Sequence, residues 1–188
     1  GYEDFHIKLQ NLGAQIEKVN SERELQKFAV SDKMDIAAFI LFGDVELTEK
    51  CAAELIKKCP EFDYIVTPEA KSIPLAYEMS RQSGKKYIVI RKGVKVYMDN
   101  PVAVAVNSLT TQREQYLYLG HEDGDLLSGK RVLIVDDVIS TGESLASAVK
   151  VVHAFNGNIV ACAAPLAEGD AAKRKDIVFL EKLPLFFK

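Results

Sequence analysis

The stretch that decides the fold spans residues 132–144 and reads Val132-Leu133-Ile134-Val135-Asp136-Asp137-Val138-Ile139-Ser140-Thr141-Gly142-Glu143-Ser144. Its continuous apolar start predicts a strand buried on both faces, and a loop of small hydroxyl residues with one glycine then opens a helix. In parallel α/β proteins, ligands bind at the carboxyl ends of such strands, and loop amides with a helix N-terminus attract a phosphate. The stretch therefore predicts an α/β protein with an anion site at this strand end.

Two carboxylates, Asp136 and Asp137, stand between the strand and the loop. Adjacent carboxylates repel a bare phosphate, so we expect them to accept hydrogen bonds from sugar hydroxyls or to help hold a divalent cation. A phosphate and a diol together indicate a phosphorylated ribose. The alternative is that the carboxylates only cap the next helix and that the hydroxyls belong to a turn, but the combination of strand, carboxylate pair and loop disfavours it.

Strands and helices alternate on both sides of this stretch. The apolar patterns predict strands at residues 64–67, 87–91, 131–135, 159–164 and 177–180, and helices at residues 74–82 and 142–155. The strands are continuously apolar rather than alternating, which is typical of a parallel sheet covered on both faces.

Two segments depart from this alternation. Apolar residues at every third or fourth position predict an amphipathic helix over residues 3–19, and a second helix begins at Asp44 and ends before Pro60. Residues 102–106 and 116–119 are β-prone and joined by a polar segment, which predicts a hairpin arm with a mobile tip.

The absence of repeats and linkers favours a single domain. We divide it into a helical N-terminal hood over residues 1–60, a core over residues 61–167 that contains the arm at 93–121, and a C-terminal strand and tail over 168–188.

The composition excludes several classes of protein. The 24 Lys and Arg against 27 Asp and Glu give a net charge of −3, and 48% of the residues are hydrophobic. This balance disfavours disorder and an extended polyanion surface, so no nucleic-acid partner is expected. No uncharged apolar run approaches the roughly 20 residues of a membrane helix, so no membrane is expected either. Three cysteines without CxxC spacing suit a reducing compartment, and we expect the cytoplasm.

Residues 132–144 resemble the signature by which type I phosphoribosyltransferases bind 5-phosphoribosyl 1-pyrophosphate (PRPP). Residues 64–72 resemble the first strand and pyrophosphate loop of the adenine and xanthine enzymes, and residues 87–93 are similar to the following strand, which ends in an arginine-lysine pair. The resemblance runs over residues 64–164. It implies a Rossmann-like parallel-sheet core and a purine phosphoribosyltransferase, which converts PRPP and a purine base to a nucleoside monophosphate and pyrophosphate.

The resemblance also implies roles for individual residues. Asp136 and Asp137 would be the catalytic carboxylates near the ribose diol, with Mg²⁺ carried mainly by the substrate. The 5-phosphate loop would comprise Ser140, Thr141, Gly142, Glu143 and Ser144. Pyrophosphate binding would fall to Glu69, Ala70, Lys71, Arg91 and Lys92. The arm would close over the site through Ser108, Thr110 and Gln112. The resemblance also implies that the protein forms a homodimer.

The chain departs from the family pattern at three places. Adenine enzymes usually have an arginine-glycine pair where Lys71-Ser72 stands, so the positive charge is kept and the glycine is lost. The glutamate-tyrosine pair of their arm is absent from residues 108–112, which are closer to the xanthine enzymes. Those enzymes in turn have a glutamate-lysine step where this chain has Ala167-Glu168. The base therefore remains unassigned.

Two alternatives stay open at this stage. A PRPP-sensing regulatory protein of the same fold usually adds a basic winged-helix domain, and the first 60 residues contain no such recognition helix. An orotate phosphoribosyltransferase would have a strongly cationic arm, whereas Arg113 is the only cation among the tip residues here.

Overall fold

The computed structural model describes residues 5–8, 22–25, 27–106 and 115–187. Its helices are α1 (Val45–Lys58), α2 (Ile73–Ser83), α3 (His121–Gly124) and α4 (Glu143–Ala154). Its strands are β1 (Phe5–Lys8), β2 (Glu22–Leu25), β3 (Lys27–Ser31), β4 (Met34–Ala37), β5 (Tyr64–Pro68), β6 (Lys86–Ile90), β7 (Val102–Val106), β8 (Gln115–Leu119), β9 (Arg131–Val135), β10 (Val138–Ile139), β11 (Asn158–Glu168), β12 (Ile177–Leu183) and β13 (Phe186–Phe187).

A parallel sheet of six strands forms the centre of the protein. Five strands follow the order β10-β11-β9-β5-β6, and β12 also pairs with β11. Every pairing within this sheet is parallel. The apolar residues 132–135 of β9 are completely buried. The predicted parallel α/β architecture is therefore confirmed, and the physical basis is the one the sequence indicated, a strand apolar on both faces.

Helices cover the two faces of this sheet. Side chains of α1 and α2 pack with Ile65 and Leu133 in one buried cluster, whereas α4 packs with Val66 and Ile134 in the other. Neighbouring residues of one strand thus serve opposite faces, as the two-residue period of a strand requires. Each completely buried aliphatic side chain of this kind stabilises the fold by about 1.5–3 kcal/mol relative to exposure.

The N-terminal hood differs from the prediction. Phe5–Lys8 lies within the predicted helix at 3–19 but forms strand β1. This strand pairs antiparallel with β2, and in the register Phe5 lies opposite Leu25. The rest of that predicted helix lies outside the described residues. The helical periodicity of the segment is a local signal, and pairing with a strand distant in sequence overrides it. In its described part the hood therefore combines strands with helix α1, rather than helices alone.

The C-terminal tail joins the hood. Strand β13 pairs antiparallel with β4, and β4 pairs with β3, which makes a small sheet separate from the central one. The predicted strand at 177–180 is confirmed as β12. The division into one domain with these three regions stays a prediction.

The predicted hairpin arm is confirmed at its base. Strands β7 and β8 pair antiparallel from Val102 opposite Leu119 to Val106 opposite Gln115. Leu117 and Leu119 are buried against the cluster that contains α4. The backbone of Arg91 exchanges hydrogen bonds of 2.9 and 2.8 Å with that of Tyr118, so the arm begins beside the end of β6. Its tip, residues 107–114, lies outside the described residues.

Helix α1 begins as the sequence predicted. The Oδ1 atom of Asp44 accepts a hydrogen bond of 3.1 Å from the Leu47 amide, and the helix continues to Lys58. Cys51 is buried on its inner face, and Cys59 is half-buried just past its end. No helix in the described segments is long and apolar enough to cross a membrane.

The cap at Asp44 provides a test of how α1 is stabilised. We expect Asp44→Ala to lower the free energy of unfolding by about 1 kcal/mol, because an amide of the first turn loses its acceptor, whereas Asp44→Asn retains most of it. Urea denaturation at pH 7 measures both variants. Asp32→Ala, in the exposed turn between β3 and β4, serves as control, and an equal loss there would contradict the capping role.

Candidate active site

Asp136 and Asp137 lie directly after β9 and are both buried, with 9% and 8% of their surface exposed. The Asp136 amide donates to the Ala163 carbonyl of β11 at 2.9 Å, and the Asp137 amide donates to Oδ1 of Asp136 at 2.9 Å. Helix α4 has Gly142 as its N-cap residue and no side-chain cap, so neither carboxylate caps it. The capping alternative is therefore wrong for these two residues.

The electrostatics of this pair favour binding of a hydrogen-bond donor or a cation. Burial is the largest cause that raises the pKa of Asp136, to about 7, and the neighbouring Asp137 carboxylate raises it further. A hydrogen bond from Ser72 acts in the opposite direction. Among the ion pairs formed by the described residues, neither carboxylate has a cationic partner. Sugar hydroxyls or a divalent cation would supply what the protein does not.

The predicted phosphate loop, residues 140–144, connects β10 to α4. Ser140, Thr141 and Ser144 are exposed, so their hydroxyls are accessible to a ligand. Gly142 has a φ of +84°, and a Cβ there would lie 2.8 Å from Nη1 of Arg174. The positive φ therefore favours glycine here, and a Cβ would also require the Arg174 guanidinium to shift. The amides of the first turn of α4 lie beyond a residue that has no side chain to cap them, which is the arrangement that binds anions at helix N-termini.

Arg174 lies beside this loop, which the sequence pattern did not indicate. Its Nε and Nη2 atoms donate to the Asp176 carboxylate at 2.9 and 2.6 Å, which orients the guanidinium. The remaining nitrogen, Nη1, faces the loop at Gly142. The basic run of residues 173–175 could have indicated a phosphate-binding residue. Only the folded structure shows that Arg174 in this run lies beside Gly142 of the loop.

The predicted pyrophosphate-binding residues come together at the ends of β5 and β6. Oε2 of Glu69 accepts from the Lys92 amide at 3.0 Å, and Nη1 of Arg91 lies 3.4 Å from Oε1. The Lys92 amide is the largest cause that lowers the pKa of Glu69, with Lys95 and Arg91 adding to it. Ala70 and Lys71 are exposed, and the peptide bond between Glu69 and Ala70 is cis. The loop of residues 69–72 thus presents one cation to solvent and holds a second with a carboxylate.

Some of the predicted site is beyond what the structure describes. Ser108, Thr110 and Gln112 of the arm lie outside the described residues. Within the described ranges, no group of three or more His, Cys, Asp or Glu side chains is arranged to hold a metal ion. A cation at Asp136 and Asp137 would therefore need further ligands from a substrate.

Residues 45–184 match the family profile described as "Phosphoribosyl transferase domain". The chain belongs to the phosphoribosyltransferase family. The matched range runs from α1 through β12, so it includes both loops, the carboxylate pair and Arg174.

Several archaeal proteins of this family are similar to this chain. A hypoxanthine/guanine phosphoribosyltransferase of Methanothermobacter thermautotrophicus is 34% identical over 115 residues, which cover 61% of this chain and 56% of that protein. An adenine phosphoribosyltransferase of Cenarchaeum symbiosum is 35% identical over 114 residues, or 60% of this chain and 64% of that protein. The chain thus spans less than two thirds of the length of these curated relatives.

Solved phosphoribosyltransferase structures share the fold. The adenine phosphoribosyltransferase from Thermoanaerobacter pseudethanolicus superposes with a TM-score of 0.69 at 18% identity, covering 85% of this chain and 95% of that chain. The enzyme from Giardia lamblia in complex with 9-deazaadenine gives 0.66 at 14% identity, with coverage of 94% and 98%. The type I phosphoribosyltransferase fold predicted from residues 132–144 is therefore confirmed.

The buried Asp136 makes stability depend on pH. Its pKa of about 7 in the folded protein exceeds the ordinary value of 3.8, so its contribution to stability is full below pH 3.8 and is lost as the pH rises through 7. Asp136→Asn cannot ionise, so we expect its stability relative to the native protein to rise between pH 4 and 7 by about 1 kcal/mol per pH unit. Urea denaturation in EDTA at pH 5 and pH 8 measures this. We expect the exposed control Asp32→Asn to show the same change in stability with pH as the native protein. If Asp136→Asn also showed that same change between pH 5 and pH 8, the result would contradict this prediction.

Proposed function

We propose that this protein is a purine phosphoribosyltransferase, which transfers 5-phosphoribose from PRPP to a purine base and releases pyrophosphate. The observation that carries this proposal is the carboxylate pair buried at the end of β9, followed after the short strand β10 by a hydroxyl-rich loop at the N-terminus of α4, whose N-cap residue Gly142 has no side chain. Such a site offers acceptors for a ribose diol beside donors for a phosphate. The names of the archaeal relatives, hypoxanthine/guanine and adenine phosphoribosyltransferase, support a purine as the acceptor.

The proposed reaction is a direct displacement at the anomeric carbon of the ribose. The bond from this carbon to the pyrophosphate oxygen breaks, a ring nitrogen of the purine forms the new bond, and the proton of that nitrogen passes to solvent. The transition state has oxocarbenium character, as in glycoside chemistry. Asp136 and Asp137 would accept hydrogen bonds from the ribose hydroxyls and hold the sugar in position for attack.

The phosphates would be bound by two loops. In the loop of residues 140–144, the amides, Ser140, Thr141 and Ser144 would donate to the 5-phosphate. In the loop of residues 69–72, Lys71 and the backbone amides would receive the departing pyrophosphate. Glu69 would act indirectly, because its contacts with Arg91 and the Lys92 amide hold that cationic segment against the loop. Closure of the arm through Ser108, Thr110 and Gln112 would exclude water, since hydrolysis of PRPP is the competing reaction.

The donor atoms present are compatible with Mg²⁺. Asp136 and Asp137 supply hard carboxylate oxygens, and Mg²⁺ is usually held by one or two carboxylates together with substrate phosphates and water. When bound, the cation would neutralise charge on the leaving pyrophosphate. The three cysteines, Cys51, Cys59 and Cys162, which have no CxxC spacing, support a reducing location such as the cytoplasm.

An assay of pyrophosphate release tests the proposed activity. With PRPP and Mg²⁺, we expect turnover with at least one of adenine, hypoxanthine, guanine and xanthine, and none with orotate. Asp137→Asn should lower kcat/KM by at least about 100-fold without unfolding the protein, because a charged acceptor for the ribose is lost. The control Asp123→Asn, whose side chain is 48% exposed on α3, should keep full activity. PRPP binding without turnover on any base would instead indicate a sensing protein, and turnover with orotate alone would indicate the orotate enzyme.

We further propose that the protein is a homodimer, which associates through an apolar surface beside α1 and α2. Phe42, Val45 and Tyr77 are 54%, 67% and 55% exposed. Val45 and Tyr77 line a groove of about 370 Å³ together with the apolar residues Leu41, Ile73, Pro74 and Tyr87 and the polar residues Thr48, Glu49 and Glu78, and Phe42 follows Leu41 in the chain. Exposed apolar surface of this kind is typical of an interface.

The oligomeric state can be measured directly. In analytical ultracentrifugation we expect twice the mass of the chain, and we expect Tyr77→Glu to shift the equilibrium towards the monomer because a buried charge opposes association. Tyr97→Glu, at a residue that is 64% exposed in the segment after β6, is the matched control and should remain dimeric. A native protein that stays monomeric at the highest concentration tested would refute the proposal.

A further inference from the structure

Thr67 and Ser72 form a buried pair of hydroxyls between the two parts of the site. They are 0% and 1% exposed, and their oxygens lie 2.7 Å apart. Oγ1 of Thr67 also lies 2.9 Å from the Val135 carbonyl, at the end of β9. Oγ of Ser72 donates to the Pro68 carbonyl at 3.0 Å. The pair thus contacts the pyrophosphate loop on one side and the carboxylate strand on the other.

The pair lies where the backbone pairing of β5 with β9 ends. Strands β5 and β9 are in register from Tyr64 opposite Val132 to Val66 opposite Ile134, and their pairing ends there. Strand β5 continues to pair with β6 as far as Pro68 opposite Ile90. The sheet therefore opens between Thr67 and Val135, and the Thr67 hydroxyl contacts the Val135 carbonyl where the backbone ladder has stopped. Ligands of α/β proteins bind at such openings at the carboxyl ends of strands.

The two hydroxyls have only two hydrogens to donate to the buried acceptors around them. The acceptors within reach are the carbonyls of Val135 and Pro68 and the hydroxyls themselves. Loss of one hydroxyl would leave a buried acceptor without a donor. Because the acceptors belong to both strands, such a loss would act on the separation of the two strand ends.

We propose that Thr67 and Ser72 are positioning residues that set the distance between the pyrophosphate loop and Asp136. This inference rests on the proposed function, since it assigns the two ends of PRPP to the two strand ends that the pair connects. Neither residue needs to touch the reacting atoms.

Variants at Thr67 test the hydroxyl separately from the volume of the side chain. Thr67→Val keeps the shape and removes the hydroxyl, so we expect KM for PRPP to rise roughly 10-fold while KM for the purine stays within about 2-fold. Thr67→Ser keeps the hydroxyl and should restore KM for PRPP to within about 2-fold of the native value. Ser72→Ala should resemble Thr67→Val. The double variant should be less impaired than the product of the single effects, because the two hydroxyls act as a unit.

The control is Ser80→Ala, which removes a hydroxyl of helix α2 that donates to the Lys85 carbonyl at 2.6 Å, away from β9. It should leave both KM values unchanged. Thr67→Val and Ser72→Ala proteins that are folded by circular dichroism and have native KM for PRPP would overturn the proposal. An equal rise in KM for both substrates would overturn it too, because a general loosening of the fold would explain that.

A binding measurement separates this inference from the proposed function. Calorimetry with PRPP and Mg²⁺ requires no turnover and can be applied to every variant. If the native protein binds PRPP but transfers it to no base, weaker binding by Thr67→Val than by Thr67→Ser would support the positioning role while the transferase proposal fails. If turnover is observed and PRPP binds equally to all variants, the positioning role fails while the transferase proposal stands.

Discussion

The rest of the site depends on one constraint, which is the burial of two adjacent carboxylates at the end of β9. Removing charged groups from water is unfavourable unless partners are supplied, and here the neighbours supply only part of them. The Asp137 amide hydrogen-bonds Asp136, yet burial still holds the pKa of Asp136 near 7. A structure that keeps such a pair in place has to be rigid around it. The parallel sheet provides this rigidity, because β9 lies between β5 and β11 and is apolar on both faces.

The opening of the sheet follows from the same arrangement. Strands β5 and β9 separate just before the carboxylates, and each carries a loop away from the separation, residues 69–72 on one side and 140–144 on the other. The gap is bridged by side chains rather than by a backbone ladder. A ligand with phosphates at both ends of a sugar matches this geometry, and the proposed substrate has that form.

A net charge of −3 is compatible with so anionic a ligand. A long nucleic acid requires a broad cationic surface, whereas a compact sugar phosphate can be bound by loop amides, a helix N-terminus and a few local cations. Lys71 and Lys92 lie exposed at the first loop, and Arg174 faces the second at Gly142. The overall charge balance therefore carries no information about this site.

Residues 132–144 determined by themselves the strand, the carboxylate pair, the glycine-containing loop and the helix, because each depends on local preferences and on burial of one strand. The same holds for α1 and its cap at Asp44, and for the hairpin base. Only the tertiary structure decided that Phe5–Lys8 is a strand, that Arg174 returns to Gly142, and that Thr67 and Ser72 connect β5 to β9. These features join residues far apart in the chain or depend on where a ladder stops. Pairing and packing between distant segments determine these features, and a local sequence pattern does not indicate which distant segment will be the partner.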